Sequence, residues 1–162
     1  MSLEIERKFL VFNSEYKTLS FQKKYIKQGF LNSDKNRVVR IRIIDEKAFI
    51  TVKGKSSDDG TTRYEWEKEI LLEEACQLIS LCEEGIIEKY RYYHKVENHV
   101  FEVDEFLGDN LNLTIAEVEL KNKRALFSKP SYLGKEVTGD EKYYNSNLSK
   151  NPFKYWHKKT SN

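Results

Sequence analysis

Charged and apolar side chains alternate along the first stretch of the chain, residues 3–11. On an extended strand this alternation places Glu4, Glu6 and Lys8 together on one face, with apolar side chains on the other. A half-buried strand at the surface of an ordinary sheet would show the same pattern. The first strand therefore has two interpretations, and only the later strands can separate them.

Seven later segments repeat this alternation and are predicted to be strands. They cover residues 25–31, 37–44, 48–53, 63–70, 86–95, 100–106 and 113–121. Most of the connections between them have the length of a hairpin turn. We therefore expect eight strands to form an antiparallel sheet that is large enough to close.

Helical spacing occurs in fewer places. Apolar residues three and four positions apart predict an amphipathic helix over residues 72–84, with Gly85 as its carboxy-terminal cap. A short helix is predicted after Asn13 and Ser14, ending near residue 19. Residues 125–127 and 144–148 are predicted to be helical within a looped final segment. The predicted fold class is therefore mainly β with flanking helices (α+β).

One face of the predicted strands carries charges of both signs. Its acids are Glu4, Glu6, Glu65, Glu67, Glu69, Glu102, Asp104, Glu117 and Glu119, and its bases are Lys8, Arg40, Arg42, Lys53, Arg63, Lys89 and Arg91. In an ordinary sheet this face would lie in water, whereas in a barrel it would line the interior. A charged interior must be wet, internally paired or filled with a charged ligand, because burying an unpaired ion costs several kcal/mol. The periodicity alone does not choose between the two.

The composition indicates a globular chain rather than a disordered one. Of the 162 residues, 39% are hydrophobic and 33% are charged, and 28 basic against 26 acidic side chains leave a net charge of +2. Proteins that bind nucleic acids usually carry a larger excess of basic residues, so this balance does not indicate a nucleic-acid partner. The two cysteines form no zinc or redox motif, and no segment has the apolar length of a membrane span. We expect one domain over residues 1–162, with a core at about 3–148 and a polar carboxy-terminal tail, in a soluble, cytoplasmic protein.

A barrel interior with these charges would suit a metal-bound polyanion. Carboxylates two residues apart on a strand point the same way, so Glu4 with Glu6, and Glu117 with Glu119, could hold Mg²⁺ or Mn²⁺. Arginine and lysine side chains match phosphate oxygens instead, and a triphosphate is the natural ligand for both sets. No Ser-His-Asp or Cys-His arrangement is visible, and the three histidines (94, 99 and 157) are interpreted as surface or hydrogen-bonded residues. A metal-activated water is therefore the simpler nucleophile.

The same residues form an ordered series of motifs. The series begins with Glu4-x-Glu6-x-Lys8 and continues with Gln28-Gly29-Phe30-Leu31, Arg40-x-Arg42, Thr51-Val52-Lys53, Arg63-x-Glu65-x-Glu67, Lys89-x-Arg91, Glu102-x-Asp104, Glu117-x-Glu119 and Gly134-Lys135-Glu136-Val137-Thr138. This series resembles the CYTH superfamily, the triphosphate tunnel metalloenzymes, and most closely their small bacterial inorganic triphosphatase branch. The resemblance implies an eight-stranded antiparallel β-barrel tunnel with a charged lumen.

The resemblance also implies a role for each charged position. It assigns metal binding to Glu4, Glu6, Glu117 and Glu119, with Asp104, Glu65 and Glu67 serving a second ion or a water molecule. It assigns the phosphates to Arg40, Arg42, Lys53, Lys89 and Arg91. Lys8 is the implied catalytic residue, which stabilises charge or transfers a proton near the bond being cut. The implied reaction is metal-dependent hydrolysis of a linear triphosphate, either inorganic tripolyphosphate or a nucleoside or thiamine triphosphate.

One position departs from the family pattern. The small triphosphatases commonly carry a tyrosine where this chain has Phe30, which has no hydroxyl to assist Lys8. Two alternative functions stay open: an adenylyl cyclase of the class IV type, which uses the same scaffold on ATP, and a non-catalytic module that binds triphosphate or polyphosphate, for which Phe30 would be a sign of lost chemistry. A homodimer is an option on which the sequence gives no information.

Overall fold

The computed structural model of the protein describes the backbone of residues 2–159 and the side chains as far as residue 156. The side chain of His157 and the end of the expected polar tail lie outside this part. Residues 2–159 contain nine strands, which are β1 (Ser2–Val11), β2 (Gln22–Asn32), β3 (Arg37–Ile44), β4 (Lys47–Gly54), β5 (Thr62–Ile70), β6 (Ile87–Val96), β7 (His99–Phe106), β8 (Thr114–Glu119) and β9 (Leu133–Glu136). The helices are α1 (Tyr16–Leu19), α2 (Leu72–Ile79) and α3 (Asn145–Lys150), with 3₁₀ turns at Gly108–Asn110, Glu141–Tyr143 and Phe153–Lys159.

Strand β1 closes the sheet into a barrel because it pairs along both of its edges. Residues 2–5 pair antiparallel with β5, and residues 6–10 pair antiparallel with β8. The other neighbours follow in the order β8-β7-β6-β2-β3-β4-β5, so eight strands complete the ring. The predicted fold class and the eight-stranded antiparallel barrel are confirmed. The lumen is the interior of this ring.

The short strand β9 was not predicted. It pairs with β1 at Phe9 and Val11, beyond the part of β1 that pairs with β5. Four residues that include a glycine show no usable alternation, so its pairing comes from the free edge of β1 rather than from a local pattern.

Helix α2 ends earlier than its apolar spacing predicts. It stops at Ile79 instead of near residue 84. The Glu83 N–H donates to the carbonyl of Phe30 (2.8 Å), and the Glu83 carboxylate accepts hydrogen bonds from Ser33. These tertiary bonds take the chain out of the helix before the apolar spacing ends. Gly85 is therefore not the helix cap; it has φ +95°, and a Cβ there would lie 1.9 Å from the carbonyl oxygen of Ser149.

Residues 125–127 were predicted to be helical, and they are irregular instead. The reason is that Phe127 packs edge-on against Phe9, with ring centroids 6.0 Å apart, outside the barrel. The helix predicted at residues 144–148 is present as α3, which begins one residue later, at Asn145, and ends at Lys150. Among the described residues, no helix combines the length and the apolar character that crossing a bilayer would require.

The lumen changes character along its length. Strand β8 passes from Ile115 to Glu117 and Glu119 on its inner face, and β7 passes from Phe106 to Asp104 and Glu102. At the apolar end these side chains form a buried cluster with residues of the carboxy-terminal segment; its members are Phe30, Val38, Ile87, Phe106, Leu113, Ile115, Val137, Tyr143 and Leu148. The inner face is thus charged over part of the barrel and apolar where the final segment covers it.

Candidate active site

Strands β1, β3, β4, β5, β6 and β8 turn charged side chains into one cavity. The cavity measures about 780 Å³ with its open mouth included, which is within the usual range for small-ligand sites. Its charged lining residues are Glu4, Glu6, Lys8, Arg40, Lys53, Arg63, Lys89, Arg91 and Glu117. These residues are spread over more than a hundred positions of the sequence, and closure of the barrel brings them together.

Five predicted site residues lie outside the direct lining of this cavity; they are Arg42, Glu65, Glu67, Asp104 and Glu119. Three of them, Glu65, Glu67 and Asp104, contact lining residues, and Arg42 is linked to the lining through Glu67. Arg42 and Arg40 both approach the carboxylate of Glu67 (3.4 and 3.6 Å), and Glu65 lies 3.9 Å from Lys53. Asp104 pairs with lining bases, and Glu119 is exposed at the other end of β8.

The acidic part of the cavity is formed by two glutamates of β1 and one of β8. Burial and the charges of Glu117 and Glu4 raise the pKa of Glu6 well above its ordinary value. Burial would raise the pKa of Glu4 as well, but Lys53, whose Nζ donates to the Glu4 carboxylate at 2.8 Å, outweighs burial and lowers that pKa. Like charges held together in a buried site are stabilised by a cation.

Glu117 lies at the centre of the electrostatic arrangement. Burial alone would raise its pKa, but the positive charges of Lys8, Arg91 and Lys89 outweigh burial and hold the pKa below its ordinary value. Its carboxylate lies 3.4 Å from the ammonium group of Lys8. Glu117 therefore stays ionised at neutral pH.

The acidic residues fit a metal that is shared with a substrate. Among the described residues, no three His, Cys, Asp or Glu side chains already form a metal-binding group. Magnesium usually takes only one or two protein carboxylates and completes its shell with water and phosphate oxygens. The oxygen-only donors Glu4, Glu6 and Glu117, with the raised pKa of Glu6, fit such an ion.

The opposite side of the lumen holds more positive charge than its acids neutralise. The Nε atoms of Arg40 and Arg42 are buried, and no described residue accepts a hydrogen bond from them. Burial, followed by the charge of Arg42, lowers the pKa of Arg40 to about 9. Buried cations with unsatisfied donors are costly unless an anion accepts their hydrogen bonds. This part of the site is therefore suited to an anion.

Asp104 orients two of the bases. It is 1% exposed, and its carboxylate accepts two hydrogen bonds from Arg91 (2.7 and 2.8 Å). It also lies 2.7 Å from the ammonium group of Lys89. Both of its oxygens are thus engaged with bases, and the metal role that the resemblance implies for it stays a prediction.

Lys8 is buried and has several polar neighbours. Its Nζ donates to the carbonyl of Tyr143 at 3.5 Å and lies 5.0 Å from the centre of the Tyr144 ring. Burial would lower its pKa, but Glu117 and Glu6 outweigh burial and raise it. Phe30 lines the same cavity and belongs to the apolar cluster.

Sequence reasoning missed the residues that cover the apolar end of the cavity. They come from the loop after β4 and from the carboxy-terminal segment, and they are Ser56, Gly60, Thr61, Thr138, Gly139, Tyr144, Asn145 and Ser146. Thr138 ends the last motif of the ordered series, but no role was assigned to it. The other residues offered only the polarity of predicted loops or of a predicted helix, which does not distinguish a cavity wall from a solvated surface. Outside the cavity, His94 is hydrogen-bonded to the hydroxyl of Tyr132 (2.8 Å), as expected.

A family model for the CYTH domain matches residues 2–152. The chain belongs to the CYTH family. This CYTH protein is 48% identical over 155 residues to an inorganic triphosphatase from Acetivibrio thermocellus. The aligned segment covers 95% of this chain and 97% of the relative. The resemblance that the ordered motifs indicated is confirmed.

Solved structures agree with this assignment. The inorganic triphosphatase NE1496 superimposes with a TM-score of 0.64 at 31% identity, over 92% of this chain and 95% of that one. A putative adenylyl cyclase from Hippeastrum, whose structure is described as revealing a dominant triphosphatase activity, shares the fold at a TM-score of 0.53 and 15% identity. That match covers 74% of this chain and 80% of the plant protein.

Proposed function

We propose that this CYTH protein is a metal-dependent hydrolase of linear triphosphates, with inorganic tripolyphosphate as the first candidate. The observation that carries the proposal is the division of one lumen into an acidic side, around Glu6 and Glu117, and a basic side where the buried Nε atoms of Arg40 and Arg42 have no acceptor among the described residues. The 48% identity to an inorganic triphosphatase supports the same reaction. The alternatives of a cyclase and a binding module have no specific observation in their favour.

Binding of the triphosphate would fall to the bases of the lumen. Arg40, Lys53, Lys89 and Arg91 line the cavity, and Arg42 shares the Glu67 carboxylate with Arg40. Arginine forks suit phosphate oxygens because they offer paired donors in a fixed geometry. The buried Nε atoms of Arg40 and Arg42 would gain the acceptors that they lack. Asp104 would hold Lys89 and Arg91 in place for the same task.

The acids would hold the metal. Glu4, Glu6 and Glu117 are the proposed ligands for Mg²⁺ or Mn²⁺, with Glu119 at the outer end and with Glu65 and Glu67 available for a second ion or water. When bound, such an ion neutralises phosphate charge and lowers the pKa of a water molecule. The protein contributes carboxylates that are already gathered in one buried site.

Lys8 would act through its charge. Its raised pKa keeps the ammonium group protonated at neutral pH, which makes it a poor base. From its position beside Glu117 it would stabilise the negative charge that develops on the phosphate during cleavage. This role needs no hydroxyl at position 30, so Phe30 is compatible with it.

The proposal is tested by measuring phosphate release from tripolyphosphate, ATP and thiamine triphosphate, each with Mg²⁺ and with Mn²⁺. We expect release from tripolyphosphate with at least one of the two metals and none after EDTA. Glu117→Gln should reduce turnover by about 100-fold or more, because it removes a buried ligand charge. Glu73→Gln removes an equal charge from the exposed face of α2 and should leave turnover unchanged.

Each alternative predicts a different result of this experiment. Cyclic AMP and pyrophosphate as products from ATP would favour the cyclase. Tight tripolyphosphate binding without turnover would favour the binding module. No release from any triphosphate with either metal would overturn the proposal.

A further inference from the structure

Asn145 is a polar residue of the cavity that no motif singled out. It is the first residue of α3 and lines the cavity beside Lys89. It comes from the segment that covers the apolar end of the lumen. Its side chain is hydrogen-bonded to two barrel residues, Lys89 and Gln28, and these bonds determine its orientation.

The side-chain oxygen of Asn145 accepts two hydrogen bonds. Lys89 donates from its Nζ at 2.7 Å, and Gln28 donates from its Nε2 at 2.7 Å. A lysine ammonium group can only donate, so the atom that faces it must be the oxygen of the amide. Gln28 must then donate from its amide nitrogen, so its own buried Oε1 receives no hydrogen bond from any described residue. The orientation of the Asn145 amide is therefore fixed by a charge.

A fixed oxygen leaves the NH₂ group of Asn145 with a defined direction. No described residue accepts a hydrogen bond from this nitrogen, and the side chain lines the cavity. Two donors are thus held beside Lys89, on the side of the lumen that carries the bases. The residue is half-buried and lines the cavity, so these donors are available to a ligand that brings acceptor atoms into it.

We propose that Asn145 is a substrate-binding residue, whose amide NH₂ donates to a phosphate oxygen of the triphosphate next to Lys89. This inference rests on the proposed function and adds to it a residue from outside the barrel. A neutral donor contributes direction rather than charge, so Asn145 selects an acceptor at one place in the lumen. Lys89 has two roles here: it orients the Asn145 amide, and its own positive charge attracts the phosphate.

The experiment measures binding of tripolyphosphate by calorimetry in EDTA, together with KM and kcat in the metal-activated assay. Asn145→Leu keeps the approximate shape and removes the donors, and we expect the Kd and KM to rise about 10- to 100-fold, as for a lost hydrogen bond to a charged group. Asn145→Asp keeps an oxygen for Lys89 and Gln28 but turns a carboxylate towards the phosphate. It should bind at least as weakly as Asn145→Leu while folding normally, which a melting curve checks.

Two further variants separate a direct contact from a structural role. Gln28→Met removes one hydrogen bond to Asn145 without removing its NH₂ group, and the Kd should rise less than about threefold. Asn151→Asp adds the same negative charge to the same segment at an exposed position away from the cavity, and binding should not change.

The outcomes distinguish the inference from the proposed function. Normal tripolyphosphate affinity in Asn145→Asp, or an equal loss in Gln28→Met and Asn145→Leu, would overturn the role of Asn145 in a protein that still binds and hydrolyses triphosphate. Failure of the unmodified protein to bind or cleave any triphosphate would overturn the proposed function first, and the inference with it.

Discussion

At the scale of single residues, the buried arginines on the basic side of the lumen lower the stability of the ligand-free protein. The Arg40 side chain is only 12% exposed, its buried Nε has no acceptor among the described residues, and burial with the like charge of Arg42 lowers its pKa to about 9. A protein selected only for stability would not keep this arrangement. Sites of this kind are maintained because the cost is recovered when the ligand binds.

This arrangement predicts opposite effects of Arg40→Met on stability and on function. The free energy of unfolding of the ligand-free protein should rise by about 1 kcal/mol, because an incompletely paired buried cation is replaced by an apolar side chain of similar length. The KM for tripolyphosphate should rise about 10- to 100-fold, because charge-assisted hydrogen bonds to the phosphate are lost.

Urea unfolding and steady-state kinetics measure the two effects. Arg37→Met is the matched control, since Arg37 lies on the same strand with its side chain 72% exposed. It should change neither quantity. A destabilised Arg40→Met, or one with the normal KM, would show that the basic side is not an anion site.

At the scale of elements, β9 is attached to the barrel by an ion pair on the outer face. Arg7 of β1 donates two hydrogen bonds to Glu136 of β9, from Nε at 2.8 Å and from Nη2 at 2.5 Å. The Thr138 hydroxyl donates to the same carboxylate (2.7 Å) and accepts from the Lys8 N–H (2.9 Å). The pair therefore connects the outer surface to the backbone of the proposed catalytic lysine.

The pair predicts a pH-dependent effect of Glu136→Gln. The hydrogen bond from Arg7 is the main cause that lowers the pKa of Glu136 below its ordinary value of 4.5. A lowered folded-state pKa contributes stability above the unfolded value and loses it as the pH falls. Glu136→Gln should thus cost about 0.5–1 kcal/mol at pH 7, and the cost should decrease below about pH 4.5.

Denaturant unfolding of both proteins at several pH values measures this difference. Glu141→Gln is the control, because Glu141 pairs with Lys35 on the surface, where the two side chains are more than 60% exposed. Its effect should stay near zero throughout. A cost for Glu136→Gln that is unchanged at acid pH would mean that the carboxylate charge is not involved.

The loop between β4 and β5 meets the carboxy-terminal segment through two glycines. A Cβ on Gly60, which has φ +75°, would lie 2.2 Å from the Cα of Gly139. No side chain fits between two backbones at this distance. The contact brings the loop over the cavity, which both glycines line.

Gly60→Ala should therefore both destabilise the protein and impair the site. Gly108→Ala is the matched control: Gly108 has φ +61°, but nothing lies within 4 Å of its Cβ position. The control should cost only the strain of a left-handed residue, about 1–2 kcal/mol, without affecting kinetics. Gly60→Ala should cost more and should also raise the KM, as thermal unfolding and kinetics would measure. Equal effects of the two variants would contradict this role of the contact.

At the scale of the whole molecule, the barrel closes around charges over part of its length and around an apolar cluster only at one end. The apolar faces of the strands point outward, where α2 covers Ile41 and Ala48, and the carboxy-terminal segment covers one end of the lumen. The buried donors in the charged part of the lumen that lack acceptors would gain them from a bound ligand. Ligand binding should consequently be a major contribution to stability.

We expect tripolyphosphate in EDTA to raise the Tm, more than pyrophosphate does, and pyrophosphate more than phosphate. At about 100 times Kd the stabilisation is about 2.7 kcal/mol, which corresponds to roughly 5–10 °C for a chain of this size. Differential scanning fluorimetry measures the shift, with sodium sulfate at equal ionic strength as the control. An equal shift in sulfate would indicate a general salt effect.

Much of the site could be read from the sequence because a strand has a fixed period of two. Alternation placed Glu4, Glu6 and Lys8 on one face, and closure of the barrel brought that face to Arg40, Lys89 and Glu117 in one cavity. The pairing partners that override local patterns could not be read in this way. Helix α2 ends because of Glu83, and Asn145 enters the cavity because the final segment folds back over the barrel.

The sequence by itself determined the eight barrel strands, the charged faces and the family, since these depend on local periodicity and on the order of motifs. The tertiary structure decided which face is inside, because β1 pairs with both β5 and β8 and thereby closes the ring. It also decided which charges are paired and which are left for a ligand. Distances between side chains from distant parts of the chain set that division, and no local pattern contains them.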